Sequence, residues 1–131
     1  NLKIKDFFKL YGEKEFRRLE KRILIRFINK DEKFVISPGA GVFYNDEVKK
    51  IIFDQCICIY LDSDIDTLIL RLKKNLSNRP KLRKGKLEDN LKQMYKERVE
   101  DYKKSHITVN VNNASVQEVV TRIVRALSKY E

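Results

Sequence analysis

The chain has 131 residues, 42% of them apolar and 37% charged, a balance that fits one globular domain (1–131) and excludes disordered, fibrous and disulfide-scaffold classes. The longest apolar run, residues 56–61, is far short of the ~18 residues a membrane-spanning helix needs, and no charged-then-apolar leader opens the chain, so a soluble cytoplasmic protein without membrane contact is expected. The net charge of +10 is uneven: residues 1–33 carry +5, residues 34–70 carry −4, residues 71–104 carry +8 and the remainder +1.

In chain order, a short helical piece is expected from about Ile4 to Leu10. Gly12 then separates it from a longer helix over 13–29, where Phe16, Leu19, Ile23 and Phe27 recur at helical spacing. Residues 34–37 read as a short apolar strand ending in Pro38, Gly39, Ala40 and Gly41. Asn45 can cap a helix over 46–53. Residues 56–61 form a buried strand, and Asp64 opens a helix running to about Asn75. The basic, turn-rich stretch 76–86 is a loop under which something anionic fits. A helix over 87–104, a strand over 107–111 and a helix over 115–130 complete the pattern, the last with Val119, Ile123 and Leu127 on one stripe. Alternating strands and helices imply an α/β fold, a parallel sheet covered by helices, with ligands beyond the carboxyl ends of its strands.

Candidate chemistry is sparse. His106 is the only histidine and opens a strand, so no nucleophile–histidine pair is available and its role is structural. Cys56 and Cys58 point to one face of a strand and read as small apolar residues rather than half of a metal site. Asp62, Asp64 and Asp66 suit a cap and first helical turn, where the dipole favours negative charge. Gly39 and Gly41 permit close backbone approach at a strand end. Arg17 and Glu20, three apart on one helix face, make a local pair in which the carboxylate aims the guanidinium. Positive charge concentrated in a loop, rather than on an aromatic-studded platform, speaks against a nucleic-acid module.

Taken together and in order, these pieces resemble the shikimate kinases. The residues that carry the resemblance are Ile4-Lys5-Asp6-Phe7-Phe8, Gly12-Glu13-x-x-Phe16-Arg17-x-x-Glu20, Val35-Ile36 leading to Gly39-x-Gly41, Tyr60-Leu61, Arg79-Pro80 and Arg98-x-x-x-Tyr102. The resemblance spans nearly the whole chain and implies a P-loop kinase fold with sheet order 2-3-1-4-5. It implies that Arg17 and Arg98 bind the substrate carboxylate, that Glu20 orients Arg17, and that Gly39, Ala40 and Gly41 line the substrate pocket. It further implies that Arg79, in a lid over about 76–86, reaches the transferring phosphate and that Arg71 lies near the adenine. The substrate would be shikimate, and the cofactors ATP and Mg²⁺. Two positions depart from the family: Ala40 replaces a middle glycine, at a cost of about 1 kcal/mol if the position needs a positive φ, and Lys81 stands where leucine usually follows Arg-Pro.

A larger departure is the phosphate cradle. Phosphoryl transfer of this type needs a G-x-x-x-x-G-K-[ST] loop, and the only Gly-Lys pair here, Gly85-Lys86, has Pro80 and Leu87 at the flanking positions the motif fixes. The family's strands 1 and 2, P-loop and metal-handling acidic pair would all precede Asn1, so an N-terminally incomplete domain is expected. That leaves an ATP-dependent shikimate kinase activity for a complete parent protein, or a catalytically inactive relative that binds an anionic metabolite or a protein partner. The strands at 34–37, 57–61 and 107–111 would be strands 3, 4 and 5. The first two are expected about two strand spacings apart, ~9 to 10 Å, held by a segment outside this sequence, rather than paired directly at ~4.8 Å.

Overall fold

The computed structural model describes residues 2–73 and 87–130. It divides into two compact units, residues 1–56 and 57–131. Among the described residues no helix is long and apolar enough to cross a membrane.

The first unit is helical. α1 (Ile4–Ile28) is two helical pieces joined at Gly12, whose φ of 76° and ψ of 175° break the helix. A Cβ at Gly12 would meet nothing within 4 Å, so glycine is needed there for its backbone and not for space. The break folds the first piece back, and Phe16 packs between Phe7 and Phe8, with ring centroids 6.1 and 4.6 Å away. α2 (Asp46–Gln55) starts where the sequence places it, at Asn45, whose side chain accepts a 3.1 Å bond from the Val48 amide. Val48 and Ile52 face inward with Leu24 and Val42, and Lys21 of α1 pairs with Glu47 of α2.

Residues 34–37 correct the sequence reading: they form no strand. Every residue from 31 to 40 is exposed, Val35 completely. A short apolar run makes a segment competent for a ladder, but a strand exists only when a second strand supplies the other half of its hydrogen bonds. What holds this stretch is an edge-to-face contact between Phe34 and Phe27 at 5.9 Å, with the Lys30 ammonium over both rings.

The second unit contains the sheet. β1 (Ile59–Asp62) and β2 (Ile107–Asn110) pair in parallel, Ile59 opposite Ile107 and Asp62 opposite Asn110. Parallel pairing requires a crossover, and α3 (Ile65–Lys73) and α4 (Leu87–Tyr102) lie in it. This is the neighbour relation expected for the strands at 57–61 and 107–111. The sheet includes no part of residues 34–37. α2 runs two residues further than expected and Cys56 caps it, its amide bonded to the Ile52 carbonyl, which delays the start of β1.

α5 (Val116–Leu127) follows β2 and begins in a capping box: the Ser115 hydroxyl accepts from the Glu118 amide while the Glu118 carboxylate accepts from the Ser115 amide. Its Val119, Ile123 and Leu127 stripe packs on Ile107, Val109 and Val111, as the spacing requires. Within the crossover, Ile69 of α3 packs with Leu91 of α4.

Candidate functional site

In the first unit the site grows out of the second piece of α1. Glu13, Arg17 and Glu20 stand four and three residues apart, so all three project from one helix face. The Arg17 guanidinium donates from Nη1 to the Glu20 carboxylate, and its Nε lies 3.5 Å from Glu13 Oε1. The pair is mostly buried, the Arg17 and Glu20 side chains each retaining 17% of their exposure.

The glycine turn lies directly against this pair. A Cβ at Gly39 would sit 2.7 Å from Glu20 Oε1, and one at Gly41 would sit 2.4 Å from Arg17 Nη2 and 2.7 Å from its Cζ. A side chain at either position would therefore displace the end of Glu20 or of Arg17, and glycine allows both to stay where they are. The turn is closed by the Val42 amide bonding to the Gly39 carbonyl at 3.0 Å. Arg17, Glu20, Gly39 and Gly41, singled out from sequence, thus form one constellation. Ala40 resolves differently from its conditional penalty: Asn113 is the only described non-glycine residue with positive φ, so the methyl at position 40 carries no such strain.

In the second unit the carboxyl ends of β1 and β2 are tied together by Asn112. Its Oδ1 accepts from the Ser63 hydroxyl at 2.9 Å and from the Asp64 amide at 3.1 Å. Ser63 is the one buried polar residue among those described. Asp64 caps α3, accepting from the Thr67 amide at 2.7 Å; that bond holds its carboxyl below the usual aspartate range. Arg71, exposed near the end of α3, donates to the Val111 carbonyl at 3.2 Å, which brings its guanidinium to the loop between β2 and α5.

Arg98 sits half-buried on α4, on the same face as Tyr95 and Tyr102. The Tyr60 ring packs on Tyr102 with centroids 5.4 Å apart. Burial pushes the Tyr60 phenol above its ordinary range, and contacts with Asp62 and Tyr95 add to the shift. Arg79 and the 76–86 lid lie outside the described residues.

The cysteines do not lie in the strand expected over 56–61, since Cys56 caps α2 and Cys58 precedes β1. His106 Nδ1 accepts from the Cys58 amide at 3.0 Å. Cys58 is buried, and burial raises the Cys56 thiol, which disfavours the reactive thiolate. Among the described residues no group of three or more His, Cys, Asp or Glu side chains is placed to hold a metal ion. Sequence reading missed Asn112, whose only signal is an asparagine-rich stretch after a strand, and it gave Glu13 no role although the motif includes it.

With this geometry established, comparison with known proteins gives one answer. Residues 1–128 match the family profile described as shikimate kinase. The shikimate kinase of Bartonella henselae is 32% identical over 127 residues, covering 97% of this chain and 60% of that protein. That of Clostridium botulinum is 38% identical over 133 residues, covering 98% and 74%. Among solved structures, a shikimate kinase from Acinetobacter baumannii in complex with shikimate superposes with a TM-score of 0.90 at 22% identity, over 98% of this chain and 72% of that one. One from Bacteroides thetaiotaomicron gives 0.78 at 23% identity, over 95% and 72%. At these identities the structures speak to fold, which is α/β of the P-loop kinase type. The chain thus spans only three-fifths of the Bartonella relative's length.

Proposed function

The chain belongs to the shikimate kinase family, and on that premise we propose that it carries the substrate-binding part of a cytoplasmic enzyme that transfers the γ-phosphoryl group of ATP to the 3-hydroxyl of shikimate. The observation that carries this reading is the Arg17 guanidinium, aimed by Glu20 and seated against Gly41, with Gly39 against the Glu20 carboxylate. A planar donor set held in one orientation suits a carboxylate, which it meets with charge-assisted bonds. Arg98 supplies a second guanidinium for the same carboxylate. Arg79 stabilises negative charge developing on the phosphoryl group, and Arg71, at the loop after β2, faces the nucleotide base.

ATP and Mg²⁺ are what the family implies, and when bound they supply the phosphoryl donor and charge neutralisation. The described residues offer no metal cluster and the 131 residues contain no Walker-type cradle, so the metal and the phosphate cradle are assigned to no residue of this chain. The polypeptide of these 131 residues alone is expected to turn over neither ATP nor shikimate; magnesium-dependent turnover in a coupled assay would contradict that. A second reading, an inactive relative that binds an anionic metabolite or a protein partner, differs from the first in that its complete protein encodes no such cradle. The reading frame upstream of the Asn1 codon separates them: an encoded G-x-x-x-x-G-K-[ST] loop supports the kinase, and its absence supports the inactive relative. In the kinase, Arg98→Ala should raise KM for shikimate, whereas Arg79→Ala should act mainly on kcat; equal KM and kcat in parent and variants would remove both assignments.

A further inference from the structure

Glu13 is the one residue of the Gly12-Glu13-x-x-Phe16-Arg17-x-x-Glu20 stretch whose chemistry the reading above leaves unused. It opens the second helical piece of α1, immediately after the break at Gly12, where a negative charge is favoured by the helix dipole. Arg17 is one turn further on and Glu20 one turn beyond that, so the two carboxylates bracket the guanidinium along one helix face. Glu20 takes Nη1. On the opposite edge, Nε is buried and donates no hydrogen bond, and Glu13 Oε1 is the carboxylate oxygen beside it at 3.5 Å. A guanidinium gripped at Nη1 alone can pivot about that contact, whereas one flanked at Nη1 and at Nε keeps a fixed plane. Recognition of a carboxylate by parallel N–H groups depends on that plane.

We propose that Glu13 is a positioning residue for Arg17, holding the Nε edge so that the guanidinium meets the substrate carboxylate in one orientation. The assignment rests on the reading of Arg17 as a carboxylate-binding group. The Glu13 side chain keeps 42% of its exposure, so its truncation leaves no cavity in the core.

The test uses steady-state kinetics of the complete protein, with thermal midpoints as a fold control. Glu13→Ala should raise KM for shikimate about five- to twentyfold, with kcat within threefold of the parent, an unchanged KM for ATP and an unchanged thermal midpoint. Glu13→Gln, which keeps an acceptor oxygen at the same reach, should restore KM to within threefold. Glu13→Ala combined with Arg17→Ala should be no worse than Arg17→Ala alone. If Arg17→Ala raises KM for shikimate while Glu13→Ala leaves it unchanged, the positioning role is overturned and the carboxylate reading stands. If Glu13→Gln is as poor as Glu13→Ala, or the double variant shows additive losses, the role is likewise overturned. An Arg17→Ala variant with unchanged KM overturns the underlying reading and the role together.

Discussion

The two units solve different problems with different residues. The second, beginning at residue 57, is organised by buried aliphatic contact: Ile107, Val109 and Val111 under α5, and Ile69 against Leu91 in the crossover. The first buries little beyond Leu24, Val42, Val48 and Ile52, and its best-defined feature is polar, a guanidinium fixed between carboxylates and a glycine turn. One unit keeps its shape through apolar area, which is non-directional. The other keeps a functional group in place through directional bonds and close approach. Variants in the two should therefore fail in different ways.

The largest expected effect is on stability in the second unit. Ile107→Ala removes a side chain that is 7% exposed and should cost about 2 to 5 kcal/mol in urea unfolding, with KM for shikimate close to the parent's. A matching rise in KM would show that the division of labour is false. Next comes Gly41→Ala in the first unit. The added Cβ falls where Arg17 Nη2 and Cζ now sit, so the guanidinium must leave its place. Shikimate affinity should drop roughly 10- to 150-fold, the worth of one charge-assisted contact of ~1.5 to 3 kcal/mol, with little change in unfolding. Gly39→Ala meets only the tip of Glu20 and should be milder; the reverse order would argue that Glu20, not Arg17, is the group the turn protects.

Smaller again are the caps of the second unit. Ser115→Ala breaks the capping box of α5 and should cost about 1 kcal/mol. The Asp64 carboxyl is held below its ordinary 3.8 by the Thr67 amide, and the Glu118 carboxyl below its ordinary 4.5 by the Ser115 amide. Both folded values are depressed, so the stability they contribute is present above those ordinary values and is lost as pH falls through the folded ones. Asp64→Asn and Glu118→Gln should each flatten the acid limb of stability against pH; an unchanged limb would remove the caps from the comparison. The smallest effect belongs to Ala40→Gly. Because Ala40 has no positive φ, restoring the family's glycine should leave shikimate affinity within about twofold and cost roughly 0.5 to 1 kcal/mol or less in backbone entropy. A clear gain in affinity would mean that the methyl obstructs the pocket after all.

How much of this could be read from sequence follows the same division. Helices of the second unit declare themselves through period and caps: the Val119, Ile123, Leu127 stripe and the Asp64 cap follow from patterns of a few residues, whereas the pairing of the strands near 59 and 107 follows from the strand order the family resemblance implies. Residues 34–37 show where such reading stops. Phe34, Val35 and Ile36 have strand composition, yet composition does not supply the partner, and the segment is exposed and unpaired as a strand. The site was legible through the motif that pairs Arg17 with Glu20 and sets glycines at 39 and 41. The contact of each glycine with its own side-chain partner was not, since residues some twenty apart meet only in three dimensions. Asn112 was hidden for the same reason, its partners Ser63 and Asp64 lying on another strand end.

The most direct test of the central claim, that the Arg17 cradle exists to bind a carboxylate, compares two ligands on two proteins. Binding of shikimate and of its uncharged methyl ester is measured by titration calorimetry on the complete protein and on its Arg17→Ala variant. Arg17→Ala should lose roughly tenfold or more in affinity for shikimate while binding the ester about as well as the parent protein does. Equal losses for both ligands, or no loss for shikimate, would contradict the claim.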